Sequence, residues 1–254
     1  MDTKQARTVV VYNNKGGVGK TTTTINLGDA LHLRGYKTLV IDMDPQANTT
    51  STFGVKTGGI ATMTDVLGDN DLPLKDVIVH TNMGDIAPTD FQMNGLANDL
   101  AGVKLSLLGL KISEVKDEYD FILIDTPPNL GSFTLSALLA GDEYIIAISG
   151  TSYAMEGIQN AFAGIKQVLR INKTLKYDGI VMTGYDSRRK TKDVAYWLEI
   201  VDTAEKLKPF SRPIRVDAAV GRSQEEKVSL QEKYHNSPAA VDYRQIADEL
   251  LVRV

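Results

Sequence analysis

Short apolar runs alternate with longer segments of helical periodicity along most of the chain. The short runs do not alternate between apolar and polar residues, so each is expected to be covered on both faces, as in a parallel sheet with crossover helices. Strands are predicted at residues 8–13, 38–42, 85–87, 121–125, 144–148 and 179–183. The pattern therefore predicts an α/β fold with a doubly wound, mostly parallel sheet and helices on both faces.

Segments with apolar residues three and four positions apart predict the helices. They cover residues 21–34, 94–115, 134–140, 154–169, 191–206 and 238–252. Ser237 and Pro238 mark the start of the last helix, because serine is a favoured N-cap and proline suits the first helical position. Residues 56–80 are the least periodic, and we expect them to form a surface excursion. No repeat or linker-like composition divides the chain, so residues 1–254 are predicted to form a single domain.

The composition excludes several classes of protein. Hydrophobic residues make up 43% of the chain and charged residues 24%, as in an ordinary globular protein. The lack of cysteine excludes disulfides, thiolate metal sites and cysteine-held iron–sulfur clusters. No apolar run approaches the roughly 20 residues of a membrane span, and the polar first residues lack the hydrophobic region of a signal peptide. We therefore expect a cytoplasmic protein.

The formal net charge is −4, and the charged residues are distributed unevenly along the chain. Residues 1–163 contain 11 lysine and arginine residues against 19 acidic ones, whereas residues 164–254 contain 17 against 13. The C-terminal third can therefore present a basic face to a polyanion. Ordinary solvated helix surfaces explain the same charges equally well.

A glycine-rich segment joins the first predicted strand to the first predicted helix. It reads Lys15, Gly16, Gly17, Val18, Gly19, Lys20, Thr21 and Thr22. Glycines let the backbone curl so that successive N–H groups point at phosphate oxygens, and the helix N-terminus adds its dipole. In such a loop Lys20 reaches the β- and γ-phosphates, and the Thr21 hydroxyl contacts Mg²⁺. The segment therefore predicts a phosphate-binding loop for ATP with Mg²⁺.

A second lysine, Lys15, stands at the start of this loop. From there it cannot easily reach the γ-phosphate of its own nucleotide, but it can cross a dimer interface and neutralise charge on the partner's triphosphate, as an arginine finger does. Bound ATP would then hold two subunits together. The alternative is that Lys15 is an ordinary exposed loop residue.

Acidic residues follow two of the predicted strands. Asp42 and Asp44 come at the end of the second strand, and Asp125 ends an apolar strand with a Walker B pattern. Ligands bind at this carboxyl edge in open α/β folds. Asp42 and Asp125 are therefore predicted to hold Mg²⁺ through water, and Asp44 to orient the attacking water. The alternative for Asp42 and Asp44 is a capped turn, since Asp-Pro is common in turns.

Together these motifs resemble the deviant Walker A ATPases, and within them the ParA/Soj partition proteins. The resemblance covers nearly the whole chain. Beyond the phosphate loop it includes the segments 42–48, 124–128, 154–158, 185–188 and 239–250. The chain departs from the family at Pro213, because the family often has a proline after, not before, the isoleucine near the adenine.

The resemblance implies an ATPase with slow intrinsic hydrolysis that forms a homodimer in the ATP state. It also implies that the dimer binds DNA without sequence preference and drives the partition or positioning of a plasmid or chromosome. A ParB-like or other adaptor protein would stimulate hydrolysis and release the dimer. By the same resemblance Lys15, Lys20 and Asp44 are the catalytic residues, and Thr21 and Asp42 lie on the magnesium side. The protein would be cytoplasmic and nucleoid-associated, without membrane contact.

In this family the DNA contacts lie toward the C-terminal part. The candidates in this chain are Arg188, Arg189, Lys190, Lys192, Arg215 and Arg222. Contacts of this type go to DNA phosphates, so binding is expected to weaken strongly as salt is raised.

Three alternative functions are open at this point. An ATPase that uses the nucleoid to position a protein organelle or cluster would have the same biochemistry and a different adaptor. A MinD-like membrane-surface ATPase ends in a basic amphipathic helix, whereas Asp242, Asp248 and Glu249 make the last predicted helix here acidic. Metabolic relatives need cluster cysteines if they are reductases, and ligase relatives generally carry extra domains.

Overall fold

The computed structural model describes residues 5–100, 102–149, 154–186, 188 and 207–253. Within these ranges the chain forms a seven-stranded sheet in the order β3-β4-β2-β5-β1-β6-β7. All neighbouring strands are parallel except β3 and β4, which are antiparallel. The strands are β1 (Arg7–Tyr12), β2 (Thr38–Asp42), β3 (Val79–Thr81), β4 (Gly84–Ala87), β5 (Phe121–Asp125), β6 (Glu143–Ser149) and β7 (Lys176–Thr183). The predicted fold class is therefore confirmed.

Helices cover both faces of this sheet. The α-helices in the described ranges are α1 (Lys20–His32), α2 (Asn48–Thr52), α3 (Met63–Leu67), α4 (Leu107–Ser113), α5 (Ser132–Ala140), α6 (Ala154–Val168), α7 (Ala218–Glu226), α8 (Leu230–Lys233) and α9 (Pro238–Val252). Short 3₁₀ helices occur at Leu74–Val77, Phe91–Ala97 and Gly102–Ser106. As predicted, Ser237 caps α9 through its side chain, which accepts a hydrogen bond from the backbone N–H of Ala240.

The central strands supply side chains to two separate hydrophobic cores. Val10 of β1 points into a core with α5 and α6, whereas Val9 points to the opposite face, into a core with α1 and α9. Both faces of β1 are buried because residues of a strand alternate in direction and each side meets a helical layer. This explains why the strands read as continuous apolar runs in the sequence.

The predicted helix at 94–115 is wrong. The chain forms two 3₁₀ helices there and only the seven-residue helix α4 at the end. The hydroxyls of Ser132 and Ser136 on α5 donate hydrogen bonds to the carbonyls of Ala97 and Leu105, at 2.6 and 2.9 Å. These bonds attach the irregular segment to α5, and tertiary contacts routinely outweigh a local helical pattern.

Residues 56–80 also differ from the prediction of a surface excursion. Met63, Val66, Leu67 and Leu74 are all buried in the core beneath β2. The helix α3 is fixed by a capping box in which Thr62 and the side chain of Asp65 satisfy each other's backbone N–H groups. A helix of five residues is too short to show a periodic pattern, so its burial could not be predicted from local periodicity.

Several short elements were not predicted. These are β3, which adds three partly exposed residues to the edge of the sheet, and the helices α2, α7 and α8. The helix predicted at 191–206 lies outside the described residues.

In the part of the chain that the structure describes, no helix has both the length and the apolar character needed to cross a membrane.

Helix α1 is tied to the C-terminal region by a buried acid, Asp29. Both of its carboxylate oxygens accept hydrogen bonds from the Ser229 hydroxyl, at 2.9 and 2.8 Å, and one also accepts from the backbone N–H of Gln231. Burial raises the pKa of Asp29 to about 6; these hydrogen bonds oppose the rise, and nearby Glu232 adds to it. The native state therefore binds a proton at Asp29 more tightly than the unfolded chain does.

Asp29→Asn is expected to remove a pH-dependent loss of stability. The pKa of Asp29 is higher in the folded protein than in the unfolded chain. The protonated carboxyl therefore contributes its full stability at pH values below the ordinary pKa of aspartate, and this stability is lost as the pH rises through about 6. Asparagine is always neutral and can still accept from Gln231, so between pH 4 and 8 the variant should gain about 2–3 kcal/mol relative to the unsubstituted protein. Denaturant unfolding at several pH values measures this, with the exposed Asp69→Asn as control. Parallel pH profiles for Asp29→Asn and the unsubstituted protein would contradict the prediction.

Candidate functional site

The glycine-rich loop follows β1 at the carboxyl edge of the sheet, where it leads directly into α1. Gly17 and Gly19 have φ values of +71° and +82°, a left-handed conformation that glycine adopts without strain. Helix α1 begins immediately after Gly19, at Lys20. The loop therefore has the strand–loop–helix placement that was predicted for it.

Two side chains outside the predicted site form hydrogen bonds with the backbone of the loop. Asn13 donates from Nδ2 to the carbonyl of Ala147 on β6 at 2.7 Å and accepts from the backbone N–H of Lys15 at 3.0 Å. Thr183, at the end of β7, has its hydroxyl 2.9 Å from the carbonyl of Val18. The sequence pattern gave no indication that Thr183 supports the loop, because it is 165 residues away from Val18.

Lys20 is almost completely buried at the base of the loop. Its ammonium donates a hydrogen bond to the carbonyl of Lys15 at 3.1 Å. Burial lowers the pKa of Lys20, whereas the nearby carboxylates of Asp125 and Asp44 act in the opposite direction. A buried ammonium with one backbone partner is suited to bind an anion that enters the loop.

Asp42 and Asp125 lie side by side at the ends of neighbouring strands. They are paired directly in the register of β2 and β5, and both are fully buried. Burial raises the pKa of each carboxyl, and the repulsion between Asp42 and Asp125 raises that of Asp42 further. Two adjacent buried carboxylates favour a bound cation between or beside them.

Helix α2 orients both of these carboxylates through consecutive threonines. Thr49 donates its hydroxyl to Oδ2 of Asp125 at 2.7 Å, and Thr50 donates its hydroxyl to Oδ2 of Asp42 at 2.7 Å. The backbone N–H of Thr50 adds a second bond to Asp42 at 2.9 Å. Neither threonine was among the predicted site residues, although the run of threonines after Asn48 was a visible signal.

Asp44 lies just beyond this pair and borders an open cleft of about 290 Å³. Its backbone N–H donates to Asp42, and its Oδ1 accepts from the backbone N–H of Gln46 at 3.0 Å. The cleft is lined by Gly16, Gly17, Gly19, Lys20, Thr21, Thr22, Asp44, Gln46, Asn48, Thr126 and Pro128. The phosphate loop, Asp44 and the residues that follow β5 therefore meet in one place.

The site suits a magnesium–nucleotide complex. Oδ1 of Asp125 is buried and has no hydrogen-bond partner among the described residues, while the Thr21 hydroxyl is near enough to help lower the pKa of this carboxyl. Mg²⁺ is usually held by one or two carboxylates together with phosphate oxygens and water. The two aspartates and Thr21 provide such oxygens, and the loop amides and Lys20 provide the groups that phosphates need.

Comparison with known proteins agrees with this geometry. A family model described as an AAA domain matches residues 6–177. The chain is 40% identical over 190 residues to the chromosome-partitioning ATPase Soj of Treponema pallidum, which covers 72% of this chain and 74% of that protein. It is 30% identical over 253 residues to the chromosome-partitioning ATPase Soj of Thermus thermophilus, covering 98% and 97% of the two chains. The chain belongs to the ParA/Soj family of ATPases.

A solved structure extends the comparison beyond the ParA/Soj family. Cobyrinic acid a,c-diamide synthase from Mycobacterium smegmatis, with bound ADP and magnesium, has a TM-score of 0.83 and 28% identity, over 97% of this chain and 94% of that chain. A second structure of the same synthase holds an ATP analogue and magnesium, in agreement with the predicted cofactors. That synthase is matched over nearly its full length, so the expectation of extra domains does not separate it from this chain.

The DNA-contact candidates of this ParA/Soj ATPase differ in their surroundings. Arg188 is exposed and bonds to Asp186, and the exposed Arg222 of α7 lies over the ring of Tyr234. Arg215 instead forms a bidentate ion pair with the buried Asp242. Its Nε donates to Oδ2 at 2.9 Å, and its Nη2 donates to Oδ1 at 2.7 Å. Arg189, Lys190 and Lys192 lie outside the described residues.

Proposed function

We propose that this chain is an ATPase that dimerises on ATP, binds DNA without sequence preference and positions a plasmid or chromosome in the cytoplasm, on the nucleoid. The observation that carries this is the pair of lysines in the loop. Lys20 is buried beside the acids, whereas Lys15 is exposed and lies outside the cleft lining found among the described residues. Family membership supports the same assignment, because the relatives are named chromosome-partitioning ATPases.

The cleft residues divide into binding and reacting groups. The backbone amides of residues 16–22 and the ammonium of Lys20 bind the phosphates of ATP. Thr21, Asp42 and Asp125 would hold Mg²⁺, which when bound neutralises charge on the β- and γ-phosphates. Asp44 orients the water that attacks the γ-phosphate, since its carboxylate borders the cleft and is held by Gln46.

Lys15 is assigned to a second copy of the chain. In the dimer its ammonium would reach the triphosphate bound by the partner subunit, so that ATP joins the two subunits and each completes the other's site. Hydrolysis removes the γ-phosphate, weakens this bridge and lets the dimer separate. An adaptor protein that stimulates hydrolysis would therefore release the dimer from DNA.

We also propose that residues 1–254 form a single domain.

The proposed DNA face lies in the basic C-terminal third. Arg188 and Arg222 carry it in the described part of the chain, and Arg189, Lys190 and Lys192 complete the proposed set. Arg215 is a weaker candidate for a DNA contact, because its guanidinium already compensates the buried charge of Asp242. The apolar side of α9, including Tyr243 and Ile246, is buried against α1, so this side of the helix is not available to a membrane surface.

The test is binding to a DNA duplex of arbitrary sequence with ATP, with ADP and without nucleotide, at low and moderate salt, with sizing of the complex. We expect a dimer that binds only with ATP and that loses affinity steeply as salt is raised. An ATP-bound dimer that ignores DNA would contradict the partition function. ATP turnover that requires a small-molecule co-substrate would favour a synthase. A protein organelle or cluster as cargo would give the same DNA result and is distinguished by the adaptor that stimulates hydrolysis.

Arg222→Ala is expected to weaken DNA binding of the ATP-bound dimer equally for different sequences and to reduce the salt slope by about 1, because one phosphate contact is lost. Arg215→Ala is the matched comparison. It should lower the melting temperature, since it leaves Asp242 buried without its partner, whereas Arg222→Ala should melt like the unsubstituted protein. Unchanged affinity and salt slope in Arg222→Ala would remove Arg222 from the DNA face.

A further inference from the structure

Asn13, two residues before Lys15, connects the start of the loop to strand β6 of the sheet. Its side chain is 1% exposed. Nδ2 donates to the carbonyl of Ala147 on β6 at 2.7 Å, and Oδ1 accepts from the backbone N–H of Lys15 at 3.0 Å. Only one orientation of the amide gives a donor to the carbonyl and an acceptor to the N–H, so the two contacts determine each other.

The neighbouring Asn14 makes hydrogen bonds that lead away from the loop. Its Oδ1 accepts from the Tyr12 hydroxyl at 2.7 Å, and its Nδ2 is 3.5 Å from the carbonyl of Asn160 on α6. Two consecutive asparagines therefore have different attachments. Asn13 holds the backbone of Lys15, whereas Asn14 joins β1 to α6.

The backbone of Lys15 is held at both of its polar groups. Its N–H is bonded to Asn13, and its carbonyl accepts the Lys20 ammonium at 3.1 Å. The first contact directs this N–H to Asn13, so it is not available to a phosphate in the same site while the bond persists. If Lys20 moves its ammonium to a bound phosphate, the hydrogen bond to Asn13 still holds the backbone N–H of Lys15.

We propose that Asn13 is a positioning residue for Lys15 and holds its backbone so that the exposed side chain extends toward a second copy of the chain. The inference rests on the proposed role of Lys15 in the ATP-bound dimer. It assigns Asn13 to dimer formation and leaves the binding of nucleotide by a single subunit to the glycine amides and Lys20.

The experiment compares Asn13→Ala, Asn14→Ala, Lys15→Ala and the double variant Asn13→Ala with Lys15→Ala. Two quantities are measured for each: the ADP affinity of the monomer, and the dimer dissociation constant with a non-hydrolysable ATP analogue. Loss of two hydrogen bonds predicts that Asn13→Ala raises the dimer dissociation constant about 10-fold, with ADP affinity within about 3-fold of the unsubstituted protein. Asn14→Ala should leave both quantities nearly unchanged. The double variant should dimerise no worse than Lys15→Ala alone.

The outcomes separate this inference from the proposed function. If Lys15→Ala dimerises normally, the proposed role of Lys15 is wrong and the inference falls with it. If Lys15→Ala weakens the dimer but Asn13→Ala does not, the inference alone is overturned. It is also overturned if Asn13→Ala weakens ADP binding as strongly as dimerisation, or if its effect adds fully to that of Lys15→Ala. Should Asn13→Ala fail to fold, the apolar variant Asn13→Leu, of nearly the same size, replaces it in the same comparison.

Discussion

Asp44→Asn is expected to slow ATP hydrolysis at least about 100-fold, because it removes the carboxylate that orients the attacking water. Asparagine has the same shape and can still accept from the backbone N–H of Gln46, so the geometry of the segment should survive. Removing a negative charge beside the phosphates should not weaken ATP binding, and the ATP-bound dimer should last longer. Steady-state hydrolysis and the lifetime of the ATP-bound dimer by sizing measure the two effects.

Asp248→Asn is the control for this prediction. Asp248 is an aspartate of α9 whose side chain is 62% exposed and paired with Arg34, and it is not among the residues that line the cleft. Its substitution should leave both hydrolysis and dimer lifetime unchanged. If Asp44→Asn instead lost ATP binding, Asp44 would be a binding residue and its assigned role in hydrolysis would be wrong.

The placement of the acids was predictable because it depends on a simple property of parallel sheets. Asp42 and Asp125 each end an apolar run, and the carboxyl ends of parallel strands meet at one edge. The structure pairs them directly, with β2 next to β5. That β2 and β5 are neighbours could not be predicted from the sequence, because strand order in a sheet does not follow chain order.

The supporting residues were not predictable for the same reason. Thr49 bonds to an aspartate 76 residues away, and Thr183 reaches the loop across 165 residues. Neither contact has a local sequence pattern. The segment 94–115, where a continuous helix was predicted, is likewise bound to a distant element, since Ser132 and Ser136 of α5 donate to its carbonyls. Local periodicity therefore identified the elements with large buried faces and failed where side chains from distant elements bond to the backbone.

Arg215 illustrates the limit of arguments from charge. The family resemblance placed it among the candidates for DNA contacts, and the positive charge of the C-terminal third agreed with that assignment. In the structure its guanidinium bonds to both oxygens of the buried Asp242 and to the carbonyl of Pro238 at the start of α9. A net charge describes a surface only after such internal pairs have been identified.

Gly19→Ala is expected to reduce ADP affinity at least about 30-fold, because the loop can no longer keep the backbone conformation that directs its amides to phosphates. Gly19 has a φ of +82°, and a Cβ added there would lie 2.8 Å from Oγ1 and 3.0 Å from Cγ2 of Thr183. Thr183 has little room to move, since its hydroxyl lies within hydrogen-bond distance of the carbonyls of both Val18 and Ile148. Isothermal titration with ADP measures the loss.

Gly35→Ala separates backbone strain from this clash. Gly35 follows α1 with a φ of +85°, and a Cβ there meets no atom within 4 Å, so the variant should lose about 1 kcal/mol of stability and keep its ADP affinity. Adding Thr183→Ala to Gly19→Ala removes Oγ1 and Cγ2 but leaves the left-handed strain, so it should recover ADP affinity only in part. If Gly19→Ala bound ADP as tightly as Gly35→Ala, packing against Thr183 would not be what fixes the loop. Recovery in the double variant would instead identify the end of β7 as the support of the phosphate loop.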